Sequence, residues 1–297
     1  MQNIQAIDVL SRISEHTGGL LRDALWLRHI RYNEEHYGFE KTLRGIRHDG
    51  EKIVVIGMNH TFKQYGLADL RKVMESGVTT IACDIALPLL NELGTPPTFS
   101  LSVDSHPVVA NFYRRSQEIL RFVTPLLSTT IHRDVVEECR KAGAQVRWVQ
   151  GFFKEPPNVF HRPAVTSVVS GGNVATMCFV TAAMAFKCRL IGLLGIECAW
   201  SDETPYYTLQ NFNEIMRMAG INPRRAIKRF RRIHNRHDGE SYVVDWTYYM
   251  YRRMFRELWR KLPIDVRRST FNLTREGILS AKGLKQINVQ SFLDMNA

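Results

Sequence analysis

A chain of 297 residues with 44% hydrophobic, 10% aromatic and 23% charged residues has the make-up of a folded globular protein with a sizeable core. Disorder and fibrous repeats are excluded, and the length suits one large α/β domain with an appendage better than two large independent domains. The 40 Lys and Arg against 29 Asp and Glu leave a formal charge of +11, which implies an anionic partner: phosphate, nucleic acid or an acidic membrane face.

In chain order, the first fifty residues predict helix, with Ile4, Ile7, Leu10 and Ile13 and then Leu20 to Ile30 at helical spacing and Gly18-Gly19 as the break. From residue 52 short β-branched runs alternate with amphipathic segments. Strands are predicted at 52–57, 78–83, 98–103, 122–126, 145–149 and 190–195, and helices at 67–75, 85–93, 108–120, 133–141 and 174–186. Such alternation predicts a Rossmann-like, mostly parallel sheet with helices on both faces. After about residue 205 two basic, aromatic-rich helices are predicted, 223–236 and 241–262, then a returning strand at 269–273. The division is therefore an N-terminal helical segment over 1–50, a Rossmann-like domain over 51–205 and a basic helical cap with a returning strand over 206–297. Ile221 to Thr270 holds 14 Lys and Arg against five Asp and Glu, so nearly all of the excess charge lies in the cap.

The five cysteines are odd in number, widely spaced and without a CxxC pair, which supports neither a disulfide framework nor a zinc knuckle and predicts a reducing compartment. The N-terminus has no basic stretch ahead of an apolar core, so no secretory signal is expected. Val174 to Leu194 is long enough to span a bilayer, but Lys187 and Arg189 within it argue against that.

In parallel sheets ligands bind beyond the carboxyl ends of the strands, so the residues there are the candidates. Gly57 in Gly57-Met58-Asn59-His60 allows a phosphate close to backbone amides, or is an ordinary strand-to-helix turn. Asp84 and Asp104 each follow a strand, where an acid binds a ribose hydroxyl, holds a divalent metal beside a phosphate, or caps a helix. Capping fits Asp84 better, whereas His106, two residues on, adds a second titratable group beside Asp104 and favours function there. Ser170-Gly171-Gly172-Asn173 offers flexible amides and a helix cap, suited equally to an anion or to plain capping. Glu197 and Trp200 after the last strand of the run suit a base or sugar pocket, or a core strand with a rim aromatic. His60, His106, His132 and His161 are candidate bases, but no Ser-His-Asp arrangement follows from spacing, and Cys198 has no evident activating base. The arginines and aromatics from Arg224 to Trp259 suit phosphate contacts or a helical cap with a solvated basic face.

Three stretches resemble the MptE-like family, which includes 6-hydroxymethylpterin diphosphokinases and the central domain of motility accessory factor glycosyltransferases. They run from Thr80 through Asp84 and Leu93-Gly94-Thr95-Pro96-Pro97 to Asp104, from Ser170-Gly171-Gly172-Asn173 to Gly195-Ile196-Glu197, and from Phe271-Asn272 through Thr274 and Glu276 to Gly277. The chain departs from the family pattern at Gly57-Met58-Asn59-His60-Thr61, where a Gly-x-Gly-Pro-Ser type loop is usual. It also departs at Glu197, where Asp is common, at Arg275 and at Ile278. The Ser102-Val103-Asp104-Ser105-His106-Pro107 edge looks closer to the glycosyltransferase branch. The resemblance implies a transferase with a nucleotide-activated donor, a nucleotide sugar or, for a diphosphokinase acting on a pterin-like alcohol, ATP. Gly57, Asn59, Gly171, Gly172 and Asn173 would line the phosphates, and Glu197 and Thr274 would join them at the donor. Asp104, His106 and Glu276 would be the reacting residues, with Mg2+ at Asp104. A non-catalytic anion- or membrane-binding protein is the contrasting reading. Confinement of the charge to one segment makes nucleic acid a weaker partner than a phosphate or an anionic membrane. The expected location is cytoplasmic, with the cap as the element for peripheral contact with the inner membrane.

Overall fold

The computed structural model describes residues 23–44, 46, 51–58, 66–151, 160–204, 212, 216, 220–235 and 239–296. Its centre is a parallel sheet of nine strands: β1 (Lys52–Ile56), β2 (Thr79–Cys83), β3 (Phe99–Ser102), β4 (Thr124–Ser128), β5 (Arg147–Gly151), β6 (Thr166–Val168), β7 (Leu190–Leu194), β11 (Thr270–Asn272) and β12 (Lys285–Gln286). Across the sheet they lie in the order β12-β11-β7-β1-β2-β3-β4-β5-β6. The chain thus builds outward from β1 to β6 on one side, then returns to place β7 beside β1 on the other.

The apolar runs are continuous because both faces of a parallel sheet are covered. Alternation within them sorts the faces: Val54 and Ile56 enter one core, Ile53 and Val55 the other. The first face is covered by α1 (residues 23–37), α2 (Leu67–Glu75), α3 (Leu87–Glu92), α4 (Ala110–Arg114), α5 (Gln117–Leu120) and α6 (Arg133–Lys141), through residues such as Ile30, Leu70, Leu90, Tyr113 and Val135. α1 is fixed by fully buried Asn33, whose Nδ2 donates to the Thr129 and Ile131 carbonyls at 3.1 and 2.9 Å, just beyond β4. The second face is covered by α7 (Val174–Val180), which runs into a single π-turn, and by the C-terminal part of the chain.

The helical part of the fold matches its predicted positions closely from β1 to β7, and the predicted N-terminal segment at 4–13 lies outside the described residues. The expected 108–120 helix is broken at Arg115-Ser116 into α4 and α5. In the cap, the predicted 223–236 helix is instead α8 (Pro223–Ile227) followed by strand β9 (Arg231–His234). The second predicted helix is replaced at its start by strand β10 (Ser241–Val244). β10 pairs antiparallel with β9 and with β8 (Trp200–Ser201) in a small second sheet. Asp245 then accepts the Tyr248 N–H at 2.7 Å and starts α9 (Trp246–Lys261). β9 was not legible because Arg-Arg-Ile-His has no apolar alternation; it becomes a strand through pairing with β10. α10 (Ile264–Arg268) and α11 (Val289–Leu293) complete the chain, α11 packing Phe292 against the first core.

α9 is anchored by Phe255 and Trp259, both buried against Phe179 of α7. The Trp259 Nε1–H donates to the Lys282 carbonyl at 3.0 Å, so even the polar edge of this ring is satisfied. Among the described residues no helix is long and apolar enough to cross a membrane. Trp259→Ala is expected to lower unfolding free energy by about 3–5 kcal/mol, the range for large aromatic truncations in a core. Denaturant unfolding measures it, and a loss below about 1 kcal/mol would show that α9 is not held through this ring.

Candidate functional site

Where strand order reverses, the turns after the two neighbouring strands leave in different directions and open a crevice. That reversal lies between β1 and β7, and a cavity of about 500 Å³ sits there. Its walls come from the ends of β1 (Gly57, Met58), β2 (Cys83, Asp84), β3 (Val103, Asp104) and β7 (Gly195 to Cys198), and from residues 172–175. Trp26 of α1 and Thr247, Tyr248 and Tyr251 of α9 border it as well. Trp26 is steered there by a 3.2 Å hydrogen bond from its Nε1–H to Ser105 Oγ.

Gly57 does its work as a small residue: a Cβ there would collide with the Gly195 carbonyl oxygen. The Gly57 N–H also donates to the Leu194 carbonyl at 2.8 Å, extending the β1–β7 contact one residue past the strands. Glu197 follows on the β7 side, 2% exposed, with Oε2 lacking any hydrogen-bond partner among the described residues. Burial pushes its carboxyl up to about 8, and the nearby Glu276 charge adds to the rise. At neutral pH it is therefore mainly a protonated acid, able to donate a hydrogen bond.

The loop after β11 holds Glu197 in place. Thr274 Oγ1 accepts the Gly195 and Ile196 N–H groups at 3.0 and 3.4 Å, and the Ile278 N–H donates to the Glu197 carbonyl at 2.8 Å. Gly277, at φ +97°, packs so closely that a Cβ would lie 2.5 Å from the Glu197 carbonyl oxygen. Asn272 accepts the Thr274 N–H and Asn235 donates to the Gly277 carbonyl, so the Asn-Thr-Gly pattern braces a backbone.

On the opposite side, Asp84 is buried, accepts the Ile85 N–H at 2.7 Å and accepts a short hydrogen bond from Ser102 Oγ. Burial raises its carboxyl to about 6, opposed by those two donors and reinforced by the charge of Asp104. Asp104 is exposed at the rim, where Oδ1 accepts the His106 N–H at 2.9 Å. His106 Nδ1 accepts the Val108 N–H at 3.2 Å and caps the short helical turn at Pro107–Val109. That bond leaves the proton of the neutral ring on Nε2, which is then a donor.

The cavity thus gathers Gly57, Asp104, Gly172, Asn173 and Glu197 of the predicted residues. Gly171, His106, Thr274 and Glu276 are not among its described lining, and Asn59 and His60 lie outside the described residues. Asn173 Oδ1 caps α7 by accepting the Thr176 N–H at 2.8 Å, and Gly171 and Gly172 both have positive φ. Trp200 is a core residue stacked on Tyr248 at 4.2 Å. His132 caps α6 and His161 bonds Gln150, which gives both structural partners. Burial pushes the Cys198 thiol up to about 12, which removes it as a nucleophile at neutral pH, and all five cysteines are free. Asp84, expected as a helix cap, makes no cap of the following turn and lines the cavity. Its position directly after β2, matching Asp104 after β3, was the available signal. Trp26, Tyr248 and Tyr251 had none, since their faces are set by tertiary packing.

No family model matches the chain, and no curated protein does. The fold is similar to that of the MAf glycosyltransferase from Magnetospirillum magneticum AMB-1, with a TM-score of 0.64 and 14% sequence identity. The match covers 91% of this chain and 39% of that one, so the chain spans about two fifths of its neighbour's length. The neighbour is a glycosyltransferase of the kind the sequence motifs resemble, and at this identity the likeness is one of fold.

A carboxyl with a raised folded pKa stabilises the fold below its unfolded pKa and loses that contribution as pH rises through the folded value. For Glu197 the loss extends to about pH 8. The thermal midpoint is therefore expected to fall between about pH 5 and pH 8, and Glu197→Gln to flatten this decline by on the order of a few kcal/mol. Equal slopes for the two proteins would refute the burial of an ionisable carboxyl there. Gly277→Ala is expected to cost at least about 2 kcal/mol, because it combines positive φ with a clash against backbone. Unfolding in urea would measure this, and a neutral substitution would show that the brace is loose.

Proposed function

We propose that the chain is a transferase that binds a nucleotide-activated donor, a nucleotide sugar, in the cavity between the ends of β1 and β7. One observation carries the reading: Glu197, a buried acid with one unpartnered oxygen among the described residues, shares a cavity with buried Asp84, rim-exposed Asp104 and a border of aromatic rings. Its position at the strand-order reversal and the glycosyltransferase fold of the structural neighbour support it.

The described lining contains acids and neither Lys nor Arg. A donor phosphate there would be met by the start of α7 at Gly172-Asn173, and the carboxylates would hold a divalent ion to offset its charge. Asp84 and Asp104 suit such an ion as a pair. The described residues contain no cluster of three or more His, Cys, Asp or Glu suited to a metal, so a Mg2+ ion would need the donor's phosphate oxygens and water to complete its shell. Bound there, the ion would neutralise charge on the departing phosphate.

The residues' own parts follow from their states. Tyr248 and Tyr251 offer ring faces to a base or sugar. Protonated Glu197 donates a hydrogen bond to a donor oxygen, and Glu276 helps keep it protonated. Asp104, exposed at the rim, is placed to orient or deprotonate the acceptor hydroxyl, while His106 offers an Nε2–H donor at the same edge. The acceptor oxygen forms the new bond to the sugar carbon as the bond to phosphate breaks, and the nucleotide leaves with that electron pair.

Calorimetry with CMP-, UDP- and GDP-linked sugars, each with and without magnesium, tests the reading. One donor class is expected to bind more tightly with magnesium, and Asp104→Asn to remove most of that enhancement, at least about tenfold. No binding by any donor would sink the proposal. Release of AMP from ATP with a pterin-like alcohol would replace it with the diphosphokinase reading.

A further inference from the structure

α9 has a second face that the cavity does not use. Trp246, Tyr249, Arg253, Arg256 and Arg260 follow one another at spacings of three or four residues and share one side of the helix. All are exposed, Trp246 at 56% and Tyr249 at 41%, and these two rings stack at 5.9 Å. Below them, Tyr249, Arg252, Arg253, Arg256 and Arg260 line a groove of about 300 Å³ with Glu257 as the one acid of its described lining.

The charges in this groove are not balanced. Glu257 is paired to Arg253 at 3.1 Å, and neither Arg256 nor Arg260 has a carboxylate partner among the described residues. Arg252 is half-buried: its Nη2 donates to Ser280 Oγ at 3.2 Å, but its Nε is buried with no hydrogen-bond partner among the described residues. Burial and the neighbouring Arg256 charge both disfavour its charged form. Guanidinium groups held together in this way are suited to the oxygens of a phosphate.

We infer that this face of α9 binds the phosphate of anionic phospholipids at a bilayer surface. The arginines alone would serve any phosphate. The aromatic pair at the end of the stripe points to a membrane interface, where rings with one apolar and one polar side settle at headgroup level. The wider segment from Ile221 to Thr270 holds most of the chain's excess charge. Phe255 and Trp259 fix the opposite side of the helix in the core, so the face is already formed before it meets a surface. The inference is independent of the donor cavity.

Co-sedimentation of the full chain with vesicles tests it. The protein is expected to pellet with phosphatidylcholine vesicles containing phosphatidylglycerol and to stay in solution with phosphatidylcholine alone. Each basic residue near an anionic leaflet strengthens binding roughly fivefold, so Arg256→Glu with Arg260→Glu is expected to weaken partitioning by at least about tenfold. The thermal midpoint should remain unchanged. Arg256→Gln with Arg260→Gln is the milder second variant, expected to weaken binding in the same direction. A blue shift of tryptophan emission on the vesicles should disappear in Trp246→Phe. Equal binding to both vesicle types, binding to neither, undiminished binding by the double variants, or binding only to inorganic phosphate or RNA would overturn the inference.

Discussion

The backbone contact between the turns after β1 and β7 is the constraint on which the rest of the site depends. Strands in a sheet lie close enough for hydrogen bonding, but the turns beyond them normally separate to admit side chains. Here Gly57 has no side chain, and the Gly195 carbonyl oxygen occupies the space a Cβ would fill. The two turns therefore continue the contact of their strands, and the cavity opens above them with a floor of backbone. Thr274 reinforces this by taking the Gly195 and Ile196 amides, which would otherwise be buried donors without partners. Glu197 comes next in the chain, so the position of its carboxyl is inherited from contacts made by its neighbours.

A buried carboxyl with an unpaired oxygen is costly, and a fold without use for it would replace it with an apolar residue or give it a donor. At Glu197 the chain leaves Oε2 without a partner among the described residues, while it satisfies Asp84, two strands away, with a serine hydroxyl and a backbone amide. The contrast separates the two acids. Asp84 is a structured carboxylate at the base of a pair with rim-exposed Asp104, whereas Glu197 retains hydrogen-bonding capacity at Oε2 that no described residue meets. The same cavity lacks lysine and arginine among its described lining in a chain with a formal charge of +11. Its electrostatics are thus set by local acids and helix ends, and the net charge of the protein says little about it.

The parallel sheet was legible because its strands are buried on both faces and read as short β-branched runs, and because α2, α6 and α7 have clear periodicity. What escaped was structure created by pairing. β6 is three residues long, β12 is two, and β9 is Arg-Arg-Ile-His. Each becomes a strand only because a neighbour supplies hydrogen bonds. At the site, acids and glycines at strand ends could be found by position. Their states could not: Asp104 and Asp84 look alike in sequence, yet one is exposed and the other buried under Ser102. Thr274 likewise read as a ligand residue from its motif, whereas its hydroxyl is engaged by the β7 turn. The aromatic walls depend on how α1 and α9 are docked, which no local pattern carries.

α9 explains why the charge of the chain can be so uneven without disrupting the fold. A helix of 16 residues offers more than one face, and this one separates them by spacing. Phe255 and Trp259 fill the core beneath it, Thr247, Tyr248 and Tyr251 border the cavity, and the arginines share the outward side with Trp246 and Tyr249. Repulsion among those arginines is tolerable because most of them are solvated, and the buried aromatic contacts hold the helix regardless. Half-buried Arg252 is the exception, since it meets both desolvation and the field of Arg256. A local stress of this kind is relieved by an anion and worsened by its absence, so the outer face should be sensitive to ionic surroundings while the cavity, one helix width away, keeps its own acidic balance.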